Sequence, residues 1–227
     1  MKKDDILFTI VLAAFFGPFV IFKEAYNFLF DSQIGMNAIH PLTTAFVKFF
    51  FLATMGELLG LRIKTGKYFK KGFGVIPHAV IWGFLGVFIQ MAFITFYSGS
   101  LGFATKIYGI VNPHDVMLAS FSGQKLLIAF TISTLLNVMF APIFMTIHKI
   151  TDIHIQDNNG RMKSLITPIK VEKIITSMNW KVQWSFILKK TIPLFWIPAQ
   201  TINFLFPEEF RILNAAILGI VLGVILA

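Results

Sequence analysis

Six long apolar runs constrain this chain more than any other feature of its sequence. A helix needs about 20 predominantly apolar residues to cross a bilayer, and most of the runs approach or exceed that length. The mean hydropathy of +0.74 and the hydrophobic share of 56% exceed those of an ordinary soluble domain. We therefore predict an all-α, polytopic membrane helix bundle, a single domain with about six transmembrane segments. The predicted spans are residues 6–22, 40–61, 73–97, 126–147, 185–206 and 212–227.

The first and last of these runs each leave an alternative open. A cleaved signal peptide is the competing interpretation of the first run, but Asp4 and Asp5 stand where such a peptide carries positive charge. The last run is short for a full crossing unless the bilayer thins around it. Residues 168–180 are predicted to form an interfacial amphipathic helix instead of a span, because their apolar side chains recur on one helical face.

The positively charged residues are distributed unevenly between the loops. If all six runs cross, 15 of the 20 lysines and arginines lie on the side that carries both termini, and four lie on the other. Basic loops face the inside, so we predict that both termini are inside. This distribution explains the net charge of +9 without a nucleic-acid partner.

The same distribution predicts where the protein resides and what it contacts. We expect an integral membrane protein, in the cytoplasmic membrane of a bacterium or an organelle membrane of a eukaryote. Its partners would be the lipid bilayer and anionic lipids at the basic inner loops, with small solutes in addition if it is a channel. The sequence does not specify the oligomeric state.

A stretch near the C-terminus combines an apolar composition with polar side chains. Trp196, Gln200, Asn203, Pro207 and Arg211 recur every three or four residues, so they share one face of a helix. Amides inside hydrocarbon are costly unless they meet hydrogen-bond partners. This face therefore points at other helices or at a water-filled path. Two roles stay open for the amides: they fasten helices together, or they line a pore.

Glu57 interrupts the second run. Carboxylates within a membrane are rare and usually face the interior of a bundle. Lys189 and Lys190 begin the fifth run at a comparable depth, so we predict an ion pair between Glu57 and one of them. An interfacial Glu57 is the alternative. The predicted pore-lining or interhelical polar residues are Glu57, Asn137, Gln200, Asn203 and Arg211.

The sequence shows no motif for catalysis, cofactor binding or metal binding. It contains no cysteine, which excludes disulfides and thiolate metal sites. His148, Asp152 and His154 fall in a polar segment whose spacing does not specify a metal site. His78 is interpreted as a buried or interfacial histidine. We therefore expect no catalytic residue, no cofactor and no metal ligand.

Several short motifs recur in a characteristic order from His40 to the C-terminus. His-Pro is followed by Gly-Glu, then by a proline and a tryptophan, then by Asn…Pro, and finally by WIPAQTINFLFPEEFR. In order and approximate spacing this resembles the Mpv-seventeen and twenty-two-kilodalton peroxisomal membrane protein family. The last motif is the most specific. The residues that match the family pattern are His40, Pro41, Gly56, Pro77, Trp82, Pro142, Trp196, Pro198, Phe204 and Pro207.

The sequence departs from that family at several positions. Glu57 stands where the family usually has Asp, and Asn137 stands where Gln is usual. Ile76 and Gly83 replace a Gly and a Tyr. The first apolar run is an addition to the family pattern.

The resemblance implies a small helical membrane protein of a family proposed to form weakly selective channels for small solutes. Two other functions stay open on the residues alone. One is a structural or interaction protein of the membrane without transport activity, in which the amides only fasten helices. The other is a membrane-embedded enzyme, which the lack of a catalytic motif disfavours.

Overall fold

The computed structural model describes residues 3–30 and 35–225. These residues are mostly helical and contain no strand, which confirms the predicted all-α class. Two π-helical segments, Leu136–Phe140 and Gln183–Trp196, and one 3-10 turn, Met162–Leu165, accompany the α-helices. The α-helices are α1 Lys3–Ile21, α2 Lys23–Phe30, α3 Met36–Ile39, α4 Pro41–Thr65, α5 Val75–Tyr108, α6 Pro113–Leu118, α7 Gly123–Leu135, α8 Ala141–Asp157, α9 Val171–Ser177, α10 Trp180–Val182, α11 Ile197–Leu205 and α12 Glu208–Ile225.

Three helices within the described residues are long and apolar enough to cross a membrane. They are Pro41–Thr65, Val75–Tyr108 and the continuous helix Gly123–Asp157, which joins α7 to α8. This supports a membrane-embedded protein with three candidate spans, where the sequence predicted about six. The other three apolar runs form helices outside this set. Charged residues lie in or beside two of them: Lys189 and Lys190 lie inside the fifth run, and Glu208 and Arg211 lie in the first turn of α12, just before the sixth run.

Two helices extend well beyond the apolar runs from which they were predicted. Helix α5 continues to Tyr108 and ends at Gly109, which adopts the left-handed conformation at φ 66°. Helix α8 continues to Asp157 and ends at the Asn158-Asn159-Gly160 turn. A helix ends at a breaker or cap and not where its side chains become polar. Both helices therefore continue past the point where hydropathy falls. The segment after residue 147, predicted as a polar loop, therefore begins as helix.

The predicted interfacial helix at residues 168–180 is observed as the short helix α9. Its Ile174 is 2% exposed and packs with Met178 against Ile150 of α8. The apolar face of α9 is therefore covered by protein at Ile174, whereas Val171 at its start is 46% exposed.

The two π segments each precede or contain a proline. Pro142 directly follows the first segment, while Pro193 lies within the second and Pro198 follows it. Proline lacks an N–H and its ring crowds the carbonyl four residues earlier, so an ordinary α-helical turn is strained there. A wider π turn relieves that conflict without ending the helix.

Glycines bring α4 and α5 into close contact. A Cβ atom built at Gly83 would lie 2.5 Å from Cε2 of Phe46, and one at Gly86 would lie 2.6 Å from Cβ of Phe49. Only glycine lets the two backbones approach this far, as in other membrane helix pairs with small residues at the contact.

One end of the bundle gathers the chain's basic loops. Gly74 (φ 77°) and Gly160 (φ 65°) lie so close that a Cβ on Gly74 would be 2.6 Å from the Cα of Gly160. At the same end Arg62 forms a bidentate ion pair with Asp5, at 2.8 Å from Nε and 2.9 Å from Nη2. Tyr68 also donates to Asp5, at 3.2 Å. We call this the basic end; it holds the start of α1, the α4–α5 loop and the end of α8.

The close contact of α4 and α5 predicts opposite effects of alanine at two glycines of α5. Gly86→Ala should lower the free energy of unfolding in detergent by about 1–3 kcal/mol, because its methyl group meets an atom bonded directly to the α4 backbone. Gly99→Ala is the matched control, since a Cβ there has nothing within 4 Å and alanine favours helix by up to about 1 kcal/mol. Equal stability of the two variants would show that the helices do not approach as described.

Candidate functional site

A cavity of about 1000 Å³ opens between α4, α5, α8 and the two π segments. We call it the large cavity. Its walls are mostly apolar and aromatic, as in other small-molecule sites, with a few convergent polar groups. The polar and aromatic residues that face it include Glu57, His78, Trp82, Asn137, His148, Asp152, Gln183, Trp196 and Gln200.

Glu57 forms the centre of a polar cluster on the wall of the large cavity. The indole Nε1 of Trp82 donates to its Oε1 at 2.8 Å, which links α4 to α5. The imidazole Nε2 of His148, from α8, lies 3.6 Å from the same oxygen and 3.3 Å from Oδ1 of Asp152. The rings of Trp82 and His148 are in contact, with centroids 4.4 Å apart.

His78 completes this cluster from the first turn of α5. It is 3% exposed, and its ring stacks on Phe73 with centroids 4.9 Å apart. Its Nδ1 lies 2.9 Å from the carbonyl oxygen of Gly74 and must be the donor, because a carbonyl only accepts. Its Nε2 therefore faces Asp152, at 3.6 Å from Oδ1. We call Glu57, His78, His148 and Asp152 the His–carboxylate cluster.

Lysines line the large cavity where it reaches the basic end. They are Lys64 at the end of α4, Lys70 and Lys71 in the following loop, and Lys149 of α8. Lys70, Lys71 and Lys149 are exposed. A ring of like charge around an apolar cavity raises the local concentration of anions. The large cavity therefore has a cationic mouth and a cluster of carboxylates and imidazoles deeper inside.

A second cavity of about 350 Å³, the small cavity, lies farther along α5. Tyr97, Ser98 and Leu101 line it, together with His114 of α6 and Arg211 of α12. His78 and Tyr97 are separated by about 28 Å at about 1.5 Å of rise per residue. The two cavities thus occupy successive levels of the same helix, one reaching the basic end and one toward the opposite end.

Arg211 is held in the small cavity by neutral groups. Its guanidinium carbon lies 4.6 Å from the centroid of Tyr97 and 5.6 Å from that of Phe204, which are cation–π distances. Its Nε donates to the carbonyl of Phe206 at 3.1 Å. Among the described residues no carboxylate pairs with Arg211. Glu208 also lines this cavity.

An aromatic pair lies where the two cavities share a lining residue. Phe93 lines both of them, and its ring centroid lies 5.1 Å from that of Phe204. Phe93 is 6% exposed and Phe204 is fully buried. We call this pair the Phe plug. Gln90 lies one turn before Phe93. Its buried amide oxygen has no hydrogen-bond partner among the described residues.

A short chain of amides runs beside the Phe plug. Nδ2 of Asn203 donates to Oε1 of Gln200 at 2.9 Å and to the carbonyl of Arg211 at 3.0 Å. Gln200 lines the large cavity and Arg211 lines the small one, while Asn203 is 1% exposed between them. The buried Oδ1 of Asn203 has no partner within the described part of the chain. Hydrogen-bonded polar groups therefore run from the large cavity to the small one, beside the Phe plug.

The structure brings most of the predicted polar residues to these cavities. Glu57, Asn137 and Gln200 line the large cavity, where the amide of Asn137 donates to the carbonyl of Ser133 at 2.9 Å. Asn203 and Arg211 lie at the plug and in the small cavity. The stripe predicted from Trp196 to Arg211 is broken, because α11 ends at Leu205 and Pro207 is exposed beyond it.

The predicted ion pair of Glu57 with Lys189 or Lys190 does not form between these described residues. Glu57 instead meets Trp82 and His148, and both lysines are exposed, with Lys190 6.0 Å from the ring centroid of Phe186. Equal depth in two apolar runs did not bring the side chains together, since the second π segment directs both lysines outward.

The residues of the family motifs divide between the cavities and the helix ends. Gly56, Trp82 and Trp196 line the large cavity, and Phe204 belongs to the Phe plug. The others mark helix starts, breaks or buried contacts: His40 and Pro41 at the start of α4, Pro77 in the first turn of α5, Pro142 and Pro198 after the π segments, and Pro207 between α11 and α12.

Sequence reasoning missed His78, His148 and Asp152 as parts of one site. His148 and Asp152 are four residues apart, a spacing that places two side chains on one helical face. That signal was available, but the segment was predicted as a loop. The contribution of His78 depends on the packing of α5 against α8, which no local pattern encodes.

Comparisons with protein-family models, with curated proteins and with solved structures found no match to this chain. The resemblance noted from the motifs therefore stays a prediction.

The hydrogen bond between Trp82 and Glu57 predicts a loss of stability when the indole is removed. Trp82→Phe keeps an aromatic ring but leaves Oε1 of Glu57 without that donor, so the free energy of unfolding should fall by about 1–3 kcal/mol. Trp184→Phe is the control, because Trp184 is 62% exposed and lines neither cavity. Chemical unfolding in detergent measures both. Similar small losses for the two variants would contradict the role given to Trp82.

Proposed function

We propose that this protein is a membrane channel for small solutes, described here with its path closed by the Phe plug. One observation carries the proposal. Two cavities lie at successive levels of the candidate span Val75–Tyr108 and share Phe93 as a wall. A chain that only anchors helices has no need of two cavities separated by a single aromatic layer.

The closed path follows from the dimensions of the plug. Phe93 and Phe204 are in ring contact and buried, so water is excluded between the cavities in this arrangement. Hydrophobic constrictions of this kind close pores by dewetting. A rotation of either ring would bring the amides of Gln200 and Asn203 to the constriction. These amides offer hydrogen bonds to a polar solute in place of water.

The cationic mouth bears on which solutes would enter. Lys70, Lys71 and Lys149 favour anions over cations at the large cavity. Selectivity by a mouth of mobile, exposed lysines is weak, since salt screens surface charge within about 8–10 Å. A weakly selective path for small polar or anionic solutes fits this arrangement, and it agrees with the function that the family resemblance implies.

A structural role without transport is the second candidate, and one observation favours it. Asn203 joins Gln200 on α11 to the backbone of Arg211 on α12, so the amides fasten two helices. Interhelical hydrogen bonds of this kind contribute about 0.6–2 kcal/mol each. The two candidates differ in whether the cavities conduct.

Removal of the plug separates these candidates. Phe93→Ala shortens the side chain that both cavities share, so solute flux through reconstituted liposomes should rise several-fold over wild type. Phe88→Ala is the matched control, because Phe88 lies on the same helix, is 55% exposed and lines neither cavity. Flux of small anionic and neutral solutes is measured by dye quenching and swelling.

A second pair of variants tests the amides. Gln200→Leu and Asn203→Leu should reduce flux in the Phe93→Ala background while the protein remains folded by circular dichroism. If wild type and Phe93→Ala are no leakier than empty liposomes across several solutes, the channel proposal is wrong. Lower stability of the two leucine variants would then favour the structural role.

A further inference from the structure

We infer that the His–carboxylate cluster is a binding site for one divalent transition-metal ion of the zinc class. The cluster takes one side chain from α4, one from α5 and two from α8, so all three candidate spans contribute to it. This assignment does not depend on the channel proposal. A metal site and a solute path are tested by different measurements.

Three ligand-to-ligand distances within the cluster match those around a tetrahedral ion. Zinc binds imidazole nitrogen and carboxylate oxygen at about 2.0–2.2 Å, so neighbouring ligand atoms of a tetrahedral site lie roughly 3.3–3.6 Å apart. Nε2 of His148 lies 3.3 Å from Oδ1 of Asp152 and 3.6 Å from Oε1 of Glu57. Nε2 of His78 lies 3.6 Å from the same oxygen of Asp152. The ligand atoms of Glu57, His78 and Asp152 are all within 4.8 Å of one another.

The groups around the cluster orient its ligands as they do in metal sites. Metal-binding histidines usually donate their other ring N–H to a backbone carbonyl or a carboxylate, which fixes the tautomer. Nδ1 of His78 donates to the carbonyl of Gly74, which in the neutral ring leaves the Nε2 lone pair directed at Asp152. Trp82 likewise orients the carboxylate of Glu57 through the 2.8 Å hydrogen bond.

Two buried atoms of the cluster lack hydrogen-bond partners among the described residues. They are Oε2 of Glu57 and Nε2 of His148. Buried polar atoms are nearly always hydrogen-bonded or ligated, since an unsatisfied one costs about 1–3 kcal/mol. Nε2 of His148 faces the carboxylates of Glu57 and Asp152, and a cation bound by both residues would satisfy the two unpartnered atoms. A divalent ion also offsets the two carboxylates, whose charges are costly to hold together in an apolar bundle.

The donor set points to the class of metal. Two imidazoles and two carboxylates suit zinc and its first-row neighbours better than calcium or magnesium, which prefer all-oxygen sites. The chain contains no cysteine, so thiolates cannot compete for the metal during a titration. The competing account is a set of ion pairs in which protons on the imidazoles, without a metal, balance the carboxylates.

Metal titration of the purified, chelator-treated full chain in detergent distinguishes these accounts. Wild type should bind about one Co²⁺ per chain, with the intense visible absorption of four-coordinate cobalt, and Zn²⁺ should displace it. Asp152→Asn and His148→Gln should each weaken Zn²⁺ binding by at least about tenfold, as should Trp82→Phe through loss of orientation.

The control removes an equivalent pair outside the cluster. His114 and Asp115 form an exposed contact of 3.9 Å, so the double variant His114→Gln, Asp115→Asn should bind metal as wild type does. Circular dichroism verifies that each variant is folded. Wild type that binds neither Co²⁺ nor Zn²⁺ overturns the inference without recourse to any variant. Wild-type metal affinity in the folded Asp152→Asn and His148→Gln variants also overturns it, as does loss of binding in the control alone.

Discussion

The carboxylate of Glu57 connects the three long helices on which the rest of the structure depends. It lies on α4, accepts a hydrogen bond from Trp82 of α5 and lies beside His148 of α8. A charge within an apolar bundle is costly to leave unpaired, so the helices that supply its partners cannot separate cheaply. Close backbone contact at Gly86 then sets the distance between α4 and α5. The large cavity is the space that remains around this polar connection.

The path that we propose follows from where the bundle places its other polar groups, away from Glu57 and its partners. Amides and one arginine continue beyond the large cavity, but they pass beside an aromatic pair and do not form an open channel. Asn203 donates two hydrogen bonds, and its Oδ1 has no partner among the described residues. In the open state that we propose, water or solute would supply that partner. The same residue can therefore fasten helices in one state and contact solute in another.

The sequence predicted the helical class, the membrane setting and the inward position of several polar residues from elementary patterns. The long apolar runs and the cost of buried amides were sufficient for Gln200 and Asn203. Prediction from the sequence failed for features that depend on how the helices pack against one another. The apolar run ends at residue 147, whereas the helix continues to Asp157. His148 was therefore assigned to a loop and its partners were missed. The sequence predicted about six spans, whereas three helices of the described residues are long and apolar enough to cross a membrane. Lys189 and Lys190 interrupt the fifth run. The partner of Glu57 came from a neighbouring indole because the π segment directs Lys190 outward.

The central claim is that two cavities open toward opposite ends of a membrane-embedded bundle and are separated by the Phe plug. The absence of native cysteine allows a direct test by labelling in sealed vesicles with a membrane-impermeant thiol reagent. Met145→Cys lies in the large cavity and Ser98→Cys in the small one, with Lys67→Cys as a reference for the basic end. The account predicts that the first and third variants are labelled from one side and Ser98→Cys from the other. Labelling of Met145→Cys and Ser98→Cys from the same side would contradict it.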